Sequence, residues 1–168
     1  MKNRSIKSDS ARQRLNLYQS LGKLAHVLEA NFTTGDTLVT LAYDGAHRPR
    51  SRELAACYLR DWLETVRGLR SEQGQGLRYV YGTDCGQEDG GPIHRVVLVA
   101  TDCDVAAMVA LWPYGRASAE RLELGDGCRE LASLLMREAV EAGHAPVPCG
   151  RMWVPSVGLE RPGRPHAG

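Results

Sequence analysis

Leucines recur at positions 17, 21, 24 and 28, at spacings of four, three and four. That is one apolar stripe on a helix, and it predicts a helix over "SDSARQRLNLYQSLGKLAHVLEANF", ended by the turn "TTGD". The period then shortens. "TLVTLAY" (Thr37 to Tyr43) reads as a strand and "DGAHRPR" as a loop. From Ser51 the helical period returns, with Ala55, Leu59, Trp62, Val66 and Leu69 on one face. "SEQGQG" breaks that helix. Strands follow at "LRYVYGT" (Leu77 to Thr83) and "IHRVVLVA" (Ile93 to Ala100), joined by the Gly-rich link "DCGQEDGGP". "DVAAMVALW" (Asp104 to Trp112) predicts a short helix capped by Asp102 or Asp104. "GRASAERLEL" (Gly115 to Leu124) predicts a fourth strand. A last helix, Gly127 to Ala142, stops at Gly143.

The order is helix, then β-α-β-β-α-β, then helix. Two split β-α-β units of this kind predict an α+β, ferredoxin-like antiparallel sheet with helices on one face, plus an N-terminal helix. The helices Ser51–Leu69 and Gly127–Ala142 are expected on that face, leaving the other for a substrate. The chain divides into a basic N-terminal helical segment (1–30), the α+β unit (31–145) and a Pro/Gly-rich tail (146–168) whose last stretch is expected to be disordered.

Composition narrows the class. At 168 residues, 43% hydrophobic and 24% charged, the chain has the make-up of a soluble globular domain. No uncharged apolar run approaches the roughly 18 residues of a membrane span. The basic start, "MKNRSIKSDSARQR", has no apolar stretch behind it of the kind a secretory signal needs, so a cytoplasmic location and no membrane partner are expected. The five cysteines, Cys57, Cys85, Cys103, Cys128 and Cys149, are far apart and odd in number, which favours reduced thiols. Cys85, His94 and Cys103 lack the close pairs of a structural zinc site.

The net charge of +1 hides an asymmetry. Residues 1–81 carry 13 Lys/Arg against 8 Asp/Glu, residues 82–148 carry 5 against 11, and residues 149–168 carry 3 against 1. A basic front and tail suit phosphates, and an acidic middle repels them.

Six stretches, "LEANFTTGDTLVTLAYD", "LRYVYGTDCG", "GPIHRV", "LWPYGRA", "LASLLMRE" and "RMWVPSVGLERP", occur in this order over residues 20–162. Together they resemble the rolling-circle replication-associated proteins of bacterial plasmids and phages, of the HUH endonuclease class. The resemblance implies a divalent ion, Mg²⁺ or Mn²⁺, held by two histidines one residue apart on a central strand and by a nearby acid. It also implies a helix-borne tyrosine that attacks a phosphodiester of single-stranded DNA and stays joined to the 5′ phosphate. Here the histidine pair corresponds to His94 and Val96, the acid to Asp84 and the tyrosine to Leu134. One imidazole and the nucleophile are missing. A vestigial metal site of His94 and Asp84 and a lost nuclease are therefore expected, with no cofactor implied unless that site still works. Tyr114, in the "WPYG" turn, is the substitute nucleophile to test.

Candidate binding residues are Arg48, Arg50 and Arg52 in "HRPRSR", then Arg78, Arg95, Arg151 and Trp153. Arginine pairs bidentately with phosphate and an indole stacks on bases. The expected function is that of a catalytically degenerate replication-protein fold of a mobile element in a bacterial host. It would bind single-stranded DNA or a nucleic-acid-processing complex. Two alternatives stand beside it. One is an inhibitor of a host nucleic-acid enzyme, such as an anti-CRISPR protein bound to a CRISPR effector, which the acidic stretch 82–148 would favour. The other is an active metal-dependent nicking enzyme.

Overall fold

A computed structural model describes residues 2–86, 91–100, 102–125, 127–143 and 152–160, with side chains from Ser10 in the first helix and from Val105 in the third. The elements are α1 (Lys2–Asn31), β1 (Thr37–Ala42), α2 (Arg52–Glu72), β2 (Tyr79–Asp84), β3 (Ile93–Leu98), α3 (Asp102–Ala110), β4 (Ala117–Arg121), α4 (Arg129–Leu135), α5 (Arg137–Ala142) and β5 (Val154–Pro155). The sheet order is β4-β1-β3-β2-β5, and every neighbouring pair is antiparallel. Its first four strands have the order of two interleaved split β-α-β units. The predicted α+β class and ferredoxin-like sheet hold.

Alternation along the strands sorts the core into two layers. Val39, Leu41, Val96 and Leu98 face the crossover helices, meeting Leu59, Trp62 and Val66 of α2 and Met108 of α3. Leu38, Val80 and Val97 point the other way, against Leu24 and Leu28 of α1 and Ala132 and Leu135 of α4. The C-terminal helix therefore does not share a face with α2, as its amphipathicity alone suggested. It joins α1 on the opposite side. The cause lies in the central strands: β3 is buried at five consecutive positions, His94 to Leu98, so both of its faces need cover. Among the described residues, helices therefore cover both faces of the central strands.

The expected single helix over 127–142 is broken at Met136 (φ −101°, ψ 23°). There the end of α4 comes down on β2, and a Cβ at Gly82 would overlap the Leu135 carbonyl. Gly82 is required by that close approach. α5 ends at Gly143, in the left-handed region at φ 76°, as the sequence predicts. α2 begins where Ser51 Oγ accepts the Leu54 N–H at 3.1 Å. It ends near Arg70, whose Nε donates to the Gly76 carbonyl at 2.7 Å.

Part of the tail belongs to the domain. β5 pairs with β2 through Val80–Pro155 and Tyr81–Val154. Trp153 Nε1 donates to Ser20 Oγ at 3.0 Å, and Glu160 N donates to Asn31 Oδ1 at 2.8 Å. This strap ties α1 to the sheet edge. The last stretch expected to be disordered, from residue 161 on, lies outside the described residues. Among the described residues no helix is long and apolar enough to cross a membrane.

Candidate functional site

His94 is the most buried histidine of the described chain, with 0% of its surface exposed. It sits on β3 opposite Thr83 of β2 and Leu41 of β1. Its Nδ1 shares a 2.8 Å hydrogen bond with Thr83 Oγ1, and its Nε2 a 2.7 Å hydrogen bond with the Tyr43 hydroxyl. Burial pushes its pKa down to about 4, so the ring is neutral at neutral pH. Burial also raises the Tyr43 phenol far above its ordinary value, with Tyr58 and Tyr114 adding to the effect. Both groups are locked and uncharged.

Asp84 is also buried, yet it does not meet His94. Asp84 stands opposite Ile93 and shares the face of Val80 and Gly82, whereas Thr83 and His94 point to the other face. Its carboxylate lies 3.7 Å from Arg95 Nη1 and accepts the Gly86 N–H at 3.0 Å. The expected vestigial metal pair is therefore not assembled: strands one residue out of phase send the two groups to opposite sides of the sheet. Val96 does share the His94 face, as the i and i+2 spacing requires. Leu134 does not. It packs with the α1–α4 layer, so it lies across the sheet from His94 rather than beside it. Among the described residues no group of three or more His, Cys, Asp and Glu is placed to hold a metal ion.

An aromatic cluster instead surrounds His94 at the exit of β1. The Tyr43 ring meets Trp112 at 5.3 Å and Tyr58 at 6.0 Å between centroids. Tyr58 of α2 and Tyr114 of the α3–β4 connection stack at 4.2 Å and 27°, and both are half-buried. Trp112 Nε1 donates to the Ala42 carbonyl at 2.9 Å, which fixes the connection. At Gly115 a Cβ would collide with the backbone of Ala42 to Asp44. Its absence lets the Tyr114 segment lie against the strand exit, where Asp44 N donates to the Tyr114 carbonyl at 3.0 Å.

The loop after β1 borders this cluster. Asp44 Oδ1 accepts the N–H groups of Ala46 and His47 at 3.0 and 2.9 Å and lies 2.8 Å from His47 Nδ1. The His47 hydrogen bond holds the Asp44 carboxyl below its usual range. The His47 ring meets Tyr114 at 6.0 Å. Arg48 and Arg50 are exposed on the same loop, and Arg48 passes over Gly91, close to where a Cβ would stand.

The other candidate residues do not join this group. Arg95 is buried against Asp84, so it is no surface contact. Arg52 makes a bidentate pair with Glu138 at 2.5 and 3.1 Å. Arg78 precedes β2, five residues and about 16 Å of strand from Thr83, so it lies at the other end of the sheet. Trp153 is committed to Ser20. Arg151 lies outside the described residues. Tyr114 is held as a stacking ring, and burial raises its pKa, followed by the charge of Asp61. Both effects oppose the phenolate a nucleophile needs.

Sequence reading missed the partnership of Tyr43, Tyr58, Trp112 and Tyr114, which lie on three separate segments, the exit of β1, α2 and the α3–β4 connection. Tyr58 carried a weak signal, four residues before Trp62 beside the α2 stripe. Compared with models of known protein families, with curated proteins and with solved structures, the chain matches none.

Proposed function

We propose that this chain binds single-stranded nucleic acid at the exit of β1 and does not cleave it through a tyrosine. The observation that carries this reading is the half-buried Tyr58–Tyr114 stack at 4.2 Å, beside a loop bearing His47, Arg48 and Arg50. A stacked pair of rings extends naturally by one more planar group, and base–aromatic stacking contributes about 1–3 kcal/mol per base. The arginines of the loop suit the phosphates on either side of such a base. The resemblance to rolling-circle replication proteins points to the same ligand. The buried, neutral His94 serves here as a strut, holding Tyr43 beneath the stack.

The competing reading is a protein-binding inhibitor of a nucleic-acid enzyme. It is favoured by the acidic stretch 82–148, whose Glu120, Glu123 and Glu130 outnumber Arg121 and Arg129 around the groove of about 990 Å³ between β4 and α4.

Anisotropy titration of labelled single-stranded oligonucleotides tests the first reading. Tyr58→Ala and Tyr114→Ala should each weaken binding about five-fold or more. Arg48→Gln with Arg50→Gln should make the salt dependence shallower by about 1.4 on a log–log plot, near 0.7 for each phosphate lost. Affinity and salt dependence unchanged in all three variants would remove the site. No oligonucleotide binding, together with a host protein retained after nuclease digestion, would favour the inhibitor.

A further inference from the structure

Where α1 is described with side chains, its first turns lie off the core. Every residue from Ser10 to Asn16 is exposed, and among the described side chains Leu17 is the first of the helix to reach the core. These are nearly two full turns, enough for any core-facing stripe to show. Instead Leu15 stands 54% exposed. A helix with no apolar face against a partner gains little from packing.

Its charge says what would cover it. Lys2, Arg4, Lys7, Arg12 and Arg14 stand against the single acid Asp9. Over residues 2–14 the helix runs about 20 Å. A membrane surface is a poor match, because Ile6 and Leu15 are the only large aliphatic residues between positions 2 and 16, too few for an interfacial helix. A phosphate backbone needs cations and no apolar face.

A second observation lies where this arm joins the domain. Tyr18 is 60% exposed and follows Arg14 by four residues, on the same side of the helix. The guanidinium of Arg129, from α4, sits 5.0 Å above its ring. An exposed ring and a cation from two different elements thus continue the basic arm. This pairing has the chemistry that takes a nucleotide, a ring for the base and a guanidinium for its phosphate.

We propose that α1 from Lys2 to Tyr18, with Arg129 of α4, is a second nucleic-acid contact that grips the strand outside the Tyr58–Tyr114 site. This rests on the reading that the chain binds single-stranded nucleic acid. The experiment is anisotropy titration of the full chain with oligothymidylates over a range of salt. The variant carries Lys2→Gln, Arg4→Gln, Lys7→Gln, Arg12→Gln and Arg14→Gln. Glutamine keeps nearly the same helix propensity, so the circular dichroism should not change. The salt slope should become shallower by about 1.4 or more, at least two phosphates at about 0.7 each. Tyr18→Ala should weaken binding about five-fold with the slope unchanged.

A variant slope equal to that of the original chain, with oligonucleotide still bound, would overturn the arm and leave the loop site standing. If the original chain binds no oligonucleotide, both fall together. Retention on phosphatidylserine vesicles that oligothymidylate fails to compete would overturn the arm in favour of a membrane surface.

Discussion

His94 and Asp84 lie on adjacent strands yet point to opposite faces of the sheet, His94 towards Tyr43 and Thr83, Asp84 towards Arg95. Two buried polar groups close along the chain in space thus belong to two different networks. Each network makes its own prediction.

The first concerns pH. Burial lowers the folded pKa of His94 to about 4 from the ordinary imidazole value of 6.5, so the folded state binds fewer protons than the unfolded chain. Stability is full above pH 6.5 and falls as pH drops towards about 4, where the loss levels off. That difference corresponds to about 3 kcal/mol. Urea melts across this window should show a drop that His94→Gln largely removes. An equal pH dependence in both proteins would refute the buried neutral imidazole.

The Asp84 network behaves differently. Arg95→Ala takes from the buried Asp84 carboxylate its closest cation, leaving it the Gly86 N–H, and should cost about 3 kcal/mol. Arg52→Ala breaks a half-exposed pair and should cost under about 1 kcal/mol. Chemical denaturation of the two variants distinguishes them, and equal losses would contradict the difference in burial.

Gly82→Ala should be among the most damaging small substitutions. The new methyl meets the Leu135 backbone, which cannot turn aside as a side chain can. A loss of about 2 kcal/mol or more is expected, read as a lowered melting midpoint. Gly45→Ala, with open space around its Cα, is the control and should be near neutral.

Because His94 and Asp84 cannot reach one ion together, His94→Ala should leave any Mn²⁺ affinity unchanged in a calorimetric titration. Micromolar binding lost in that variant would revive the metal site.

Incubation with labelled single-stranded DNA and Mn²⁺ should give no denaturant-resistant protein–DNA adduct on a gel. Leu134 has no nucleophile and sits across the sheet from His94. An adduct mapping to Tyr114 would restore the nicking reading.

Much of the fold was legible along the chain. The leucine stripe of α1, the Ser51 cap, the Ala55–Val66 face of α2 and the stop at Gly143 are local signals, and each is a contest between near neighbours decided within a turn or two. The strand order followed from the sequence of elements, since short links and split β-α-β units leave few arrangements. Side-chain parity within one strand was legible too, as for His94 with Val96. Parity between strands was not. Whether Asp84 faces His94 depends on the register of β2 on β3, and a shift of one residue reverses every side chain. The same reason hid the aromatic cluster, whose four rings come from a strand exit, a helix and a connection that meet only after folding. The side of the sheet taken by α4 was hidden as well. Its stripe announced that one face is buried, but only the two-sided burial of β3 decided against which surface.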